Sequence, residues 1–163
     1  MKMTHTEAMK EIKKLEGEKK RLYQNEKETC TVTYTANEKP IDTGYNYEET
    51  NKAIIDCDFK IRHLKALLAK SNATTVVKGF DMTLAEALIY LGQLSQQLGR
   101  FQELSTRQPL VREGAAYRSA TYEFTKALYD VNEAKKQYQE CFDLISKLQM
   151  AIDLTNLTTT IDC

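Results

Sequence analysis

The sequence predicts a mainly α-helical protein: an antiparallel four-helix bundle built from two repeated helical hairpins, with short β-strands at the connections and ends. Three observations lead there. Apolar residues recur at alternating spacings of three and four along four long stretches, the mark of helices that each turn one face to a partner. Glycine (6) and proline (2) are scarce among the 163 residues, which disfavours a turn-rich all-β fold. The two halves also resemble each other in register, including at residues that helical periodicity does not require.

The first helix is signalled by Thr4 and Thr6 as caps and Glu7 in the first turn, since a hydroxyl satisfies an orphan amide and a carboxylate suits the positive helix end. Ala8, Ile12, Leu15 and Leu22 form its seam, with Lys19 in the remaining seam position. Residues 30–35 alternate strictly and are rich in β-branched side chains, so a short strand is expected. Residues 37–44, with Pro40, read as a loop. The second helix is expected from near Asn46 to near Ser71, with the seam Ile54, Cys57, Ile61, Leu64 and Leu68. Asn72 is read as a left-handed cap, and residues 74–77 as extended.

The third helix should start behind Asp81 or Thr83 and use Leu84, Leu88, Leu91, Leu94, Leu98 and Phe101. Residues 106–114, with Pro109, read as irregular, and residues 117–124 fit strand or helix equally. The fourth helix is expected to run to about Leu154 on a seam of Val131, Ala134, Tyr138, Cys141, Ile145, Leu148 and Ile152, and residues 157–161 read as extended. Helical hairpins of this length bury their stripes most simply as an antiparallel bundle.

The internal likeness organises the chain. Met3-Thr4-His5-Thr6-Glu7-Ala8-Met9 lies over Met82-Thr83-Leu84-Ala85-Glu86-Ala87-Leu88 in one register. Ser71-Asn72-Ala73-Thr74-Thr75 lies over Thr155-Asn156-Leu157-Thr158-Thr159 in a second, slightly wider one, and there Cys57 superposes on Cys141. The difference between the two offsets falls in the inter-helix connection, where insertions cost least. A single domain (1–163) with internal duplication is therefore expected, residues 1–79 forming one hairpin unit and 80–163 the other. The two Thr-rich extended segments become related edges, free to pair with each other, with residues 30–35, or with another chain.

The opening Met3-Thr4 with Glu7-Ala8, the Asn72 that closes the second helix, the run Gly79-Phe80-Asp81-Met82-Thr83-Leu84-Ala85-Glu86-Ala87-Leu88 and the late Leu148-Gln149, Ile152-Asp153 and Asn156 resemble the septicolysin-like family of small bacterial proteins of unknown function. The likeness spans nearly the whole chain through short helical motifs. It implies no catalytic residue, and the cytolysin in the family name has no counterpart in these residues.

Formal charge is zero, so no global field draws the chain to nucleic acid or anionic lipid. The four cysteines, Cys30, Cys57, Cys141 and Cys163, form no Cys-x-x-Cys pair, and only two histidines exist to complete a metal site. No long apolar run marks a signal peptide or a membrane span, so a cytoplasmic protein with free thiols is expected, with no membrane partner. No cofactor is expected.

Candidate chemistry is sparse. Neither His5 nor His63 has a Glu three residues before it, as a di-iron bundle requires. Glu140 and Asp143 share one helix face and supply one element of an all-α magnesium-dependent nucleotide hydrolase; the Glu-x-x-Glu element that should precede it is missing. Cys57 and Cys141 sit on seams, where burial keeps a thiol inert. Arg107, Arg112 and Arg118 cluster in the second connection, and Tyr45 and Tyr47 lie in the first; together they are the candidate ligand surface, with arginines for phosphates and tyrosines for base stacking. The expected function is that of a non-enzymatic helical scaffold or interaction protein that self-associates as a homo-oligomer. Nucleic-acid or phosphate-ligand binding through the Arg-rich connection is the second reading, and the hydrolase the third.

Overall fold

A computed structural model of the chain describes residues 2–114 and 122–162. The described elements run β1 (Lys2–Thr4), α1 (His5–Thr29), α2 (Tyr47–Asn72), α3 (Leu84–Thr106), β2 (Leu110–Arg112), β3 (Phe124–Lys126), α4 (Val131–Thr158) and β4 (Thr160–Asp162). The chain is thus mainly helical with short antiparallel strand pairs. It divides into two compact units, Met1–Thr75 with Thr155–Cys163, and Val76–Leu154. The division differs from the one expected between residues 79 and 80, because the segment from Val76 is counted with the second pair of helices and the last turn of α4 with β4 is counted with the first.

In the first unit α1 and α2 pack antiparallel, as the falling partner numbers show: His5 reaches Ser71, Glu16 reaches Lys65, and Glu26 reaches Tyr45. Ile12, Leu15, Cys57, Ile61 and Leu64 form the core, flanked by Met3, Leu22 and Leu68. Lys19 fills its seam position by donating to Asp58 on α2 at 2.6 Å, and that hydrogen bond raises its pKa. The seam therefore tolerates a lysine because its charge leaves sideways to a carboxylate while its stem covers apolar surface.

The ends of this unit close on each other. β4 pairs antiparallel with β1, Met3 opposite Ile161 and Thr4 opposite Thr160, and Ile161 is buried. The His5 N–H donates to the Thr159 carbonyl at 3.1 Å. At the start of α1, Thr4 and Glu7 form a reciprocal capping box that satisfies two otherwise orphan amides.

In the second unit α3 and α4 share a core of Val77, Leu84, Ala87, Leu94, Cys141, Leu148 and Ile152. Thr83 and Glu86 form another capping box, at the start of α3. Val76 bridges Thr83, and the Val77 N–H donates to the Met82 carbonyl at 3.0 Å. The turn between them needs Gly79, whose φ of 86° lies in the left-handed region.

Several local expectations are corrected. Residues 30–35 form no strand; β-branched alternation suits a sheet surface, but an extended segment without a neighbour has nowhere to place its hydrogen bonds. Asn72 is not left-handed: it is the last residue of α2, and Ala73 caps the helix at φ −72°. α4 continues past the expected end at Leu154 to Thr158, and only Thr160–Asp162 is strand. The inner seam of α3 uses Ala87 where Leu88 was expected, and Leu88 is 45% exposed. The irregular segment 106–114 contains β2, and Phe124 opens β3; the other undecided positions from 117 to 121 lie outside the described residues.

The caps make an acid-sensitive contribution. Hydrogen bonds from the Thr4 backbone and hydroxyl hold Glu7 below its ordinary 4.5, and the same groups of Thr83 do so for Glu86. A depressed carboxyl pKa contributes stability that is complete above 4.5 and is lost as pH falls through the folded value. Urea midpoints should therefore drop on acidification below pH 4.5, and Glu7→Gln with Glu86→Gln should flatten that part of the decline. A double variant whose acid profile matches wild type would show that the caps do not carry it.

Candidate functional site

Two exposed surfaces and one buried cluster concentrate the chemistry, and each lies within one unit. The first surface is the ribbon made by β2 and β3. Leu110 pairs with Lys126, Val111 with Thr125 and Arg112 with Phe124. The Glu113 N–H donates to the Glu123 carbonyl at 2.8 Å and the Ala127 N–H to the Pro109 carbonyl at 3.0 Å, extending the ladder at both ends. The Tyr129 hydroxyl donates to the Leu104 carbonyl at 2.8 Å, tying the exit of the ribbon to the end of α3. Beside the ribbon lies a cavity of about 470 Å³ whose lining includes Arg107, Val111, Lys126, Leu128 and Tyr129.

The expected ligand residues are divided between the two units. Arg107 follows the last residue of α3 and lines this cavity. Arg112 stands on β2 with its guanidinium 3.5 Å from the centroid of the Tyr122 ring, a cation–π contact. Arg118 lies outside the described residues. Tyr45 and Tyr47 belong to the first unit, not to the ribbon's. Tyr45 donates its hydroxyl to Glu26 at 2.6 Å, and that bond pushes its pKa up to about 12, so it pins the first connection to α1. Tyr47 is the first residue of α2 and is exposed.

The second surface is the outer side of α3. Leu88, Gly92, Ser95 and Gly99 follow one another at 4-3-4 spacing and are exposed, a second heptad stripe away from the buried Leu84, Ala87 and Leu94. Ile89, beside it, is 65% exposed. No residue from 87 to 99 carries a charge.

The buried cluster centres on His5, which is fully buried at the start of α1. Its Nε2 lies 2.7 Å from the Ser71 hydroxyl and its Nδ1 3.3 Å from Asn156 Oδ1. A ring protonated at Nδ1 donates to the amide oxygen and accepts the serine hydroxyl, so one tautomer satisfies both contacts. Hydroxyl, imidazole and amide stand in the order used for nucleophilic catalysis. Two features oppose that use: the imidazole is closed to solvent, and Ser71 sits at the carbonyl end of α2, where two nearby amides, of Thr74 and Thr75, already donate to its own carbonyl. The cluster reads as a tie joining the ends of α2 and α4 to α1. The sequence signal was available, because His5 precedes Ala8, Ile12 and Leu15 at 3-4-3 spacing and so falls on the seam.

The remaining candidates are occupied locally. Glu140 lies 3.8 Å from Lys136, and Asp143 accepts from Gln139 at 2.9 Å, each on its own helix. No group of three or more His, Cys, Asp or Glu converges among the described residues. No helix among them is long and apolar enough to cross a membrane.

The fold has a solved counterpart. A functionally unknown conserved protein from Corynebacterium diphtheriae superimposes with a TM-score of 0.69 over 99% of this chain and 100% of its own, at 19% identity. That identity carries the fold alone. No protein-family model and no curated protein matches the sequence.

Two outcomes test this reading of the interior. Burial raises the pKa of the Cys141 thiol, which also donates to the Leu94 carbonyl at 3.4 Å, and Cys57 is buried in the other core, whereas Cys30 is exposed. Thiol labelling of native protein at mildly alkaline pH, mapped by peptide mass spectrometry, should modify Cys30 and spare Cys57 and Cys141 until denaturant is added. His5→Ala should cost about 2–4 kcal/mol in chemical denaturation, combining a cavity with two broken buried hydrogen bonds. A loss under about 0.5 kcal/mol would mean that the cluster does not hold these helix ends together.

Proposed function

We propose that the chain is a duplicated helical hairpin that works as a self-associating interaction protein, with the outer side of α3 as the contact between copies. The observation that carries this is the uncharged second stripe: Leu88 and Ile89 stand exposed beside Gly92 and Gly99 on the same helix. A solvated helix face ordinarily carries charge. Glycine in a helix interior costs roughly 1 kcal/mol relative to alanine, and a Cβ at either glycine would meet nothing within 4 Å among the described residues. The chain's own packing therefore does not require these glycines, whereas close approach of a second helix backbone would. A symmetric contact sets the same patch against itself, and a patch without charges meets no like-charge opposition there.

The duplication is supported by matching details at the helix entries. Capping boxes stand at Thr4 with Glu7 and at Thr83 with Glu86, positions that superpose in the first register of the internal likeness. Thr160 faces Thr4 and Val76 faces Thr83, so the strand partners of the two caps are themselves related by the second register. On this reading His5 and Leu84 are equivalent, and Asn156 corresponds to Asn72, whose buried Oδ1 has no partner among the described residues.

Sedimentation velocity at micromolar concentration should show a dimer or a larger symmetric species. Ile89→Glu and Gly92→Leu, both at exposed positions, should return it to monomer with unchanged helicity. Wild-type protein that stays monomeric throughout the micromolar range would sink the proposal.

A further inference from the structure

The pairing register of the ribbon sorts its side chains by charge. Successive residues of a strand point to opposite faces, and directly paired residues share a face. With Leu110 opposite Lys126 and Arg112 opposite Phe124, one face carries Leu110, Arg112, Phe124 and Lys126, and Tyr122 joins it, as its ring contact with Arg112 shows. The other face carries Val111, Thr125 and both acids, Glu113 and Glu123; the Thr125 hydroxyl donates to Glu113 at 3.0 Å on that side. The acids that make the connection nearly neutral are thus turned away from the cations. Phe124 is 60% exposed and Tyr122 56% exposed, and neither Arg112 nor Lys126 forms a salt bridge with any described residue.

We propose that this face of the β2–β3 ribbon binds single-stranded nucleic acid, with Phe124 and Tyr122 as stacking platforms and Arg112 and Lys126 on the phosphates. The chemistry fits that occupant better than duplex or membrane. Two exposed rings beside two cations repeat, on a scale of a few residues, the alternation of base and phosphate along a strand. A duplex hides its base faces and would use only the cations. The Arg112 guanidinium lies 3.5 Å from the Tyr122 ring centroid, and a guanidinium can engage a phosphate with two donors. The site is independent of the α3 contact, although a dimer would carry two such ribbons and bind a longer strand more tightly than a short one.

The test uses the full chain and fluorescently labelled oligothymidylate in anisotropy titrations, with a duplex of equal length and phosphatidylglycerol vesicles as the other arms. Two phosphate contacts predict a log–log salt slope of about −1.4 on the single strand, a loss of roughly sevenfold for a fourfold rise in salt. Phe124→Ala should weaken binding about tenfold with the slope unchanged, and Phe124→Tyr should restore it. Arg112→Gln with Lys126→Gln should flatten the slope. All three positions are exposed, so the melting temperature serves as the control for folding. The proposal is overturned by no binding at low salt, by equal affinity for duplex and single strand, by indifference to Phe124→Ala, or by binding to vesicles alone.

Discussion

A two-helix hairpin can bury only one stripe of each helix, and most of this structure follows from that limit. Between α1 and α2 the core cluster is small: Ile12, Leu15, Cys57, Ile61 and Leu64 form it, and Lys19 occupies a further seam position. A seam this narrow stabilises the pair along its length but does nothing for the helix ends, whose first amides and last carbonyls have no partners within the helix. The capping boxes and short strand pairs answer that need. Thr4 and Thr83 each belong both to a cap and to a strand contact, so helix entry and end closure are met by the same residue.

The same limit explains what is left outside. Once the inner stripe of α3 is used, the second stripe has no place in its own hairpin. Apolar residues there are not errors of folding; they are surface that the hairpin geometry cannot reach. Scattered exposed apolar side chains are ordinary on proteins. The combination of a stripe, two helical glycines and the absence of charge is less so, and it is confined to one helix.

Helices were legible because they write their packing into spacing: Ile54, Cys57, Ile61 and Leu64 announce a seam before any partner is known, and all four are buried. The third seam departs from its expected form at one step, where register sets Ala87 rather than the larger Leu88 on the inner face. Strands were less legible because pairing is a property of two segments. Residues 30–35 have the better β composition and no strand partner among the described residues, while Lys2–Thr4 has little β character and becomes a strand because β4 arrives beside it. The ribbon face was hidden for the same reason. Arg107 and Arg112 stood out as neighbours in sequence, but Tyr122, Phe124 and Lys126 gain their meaning only from the register that sets them beside Arg112. Tyr45 and Tyr47, at the first connection, lie in the first unit.

The way the two units are closed also fixes their order of assembly. Val76 and Thr83 are near neighbours in sequence, so the loop that joins them is small and its closure costs little entropy. Thr4 and Thr160 stand far apart along the chain, with all four helices between them, and no local event can bring them together. On a ribosome the α1–α2 hairpin emerges first yet waits for its last strand until α3 and α4 have both been made, while the later hairpin already holds its own. The half that is synthesised first is the half that is finished last.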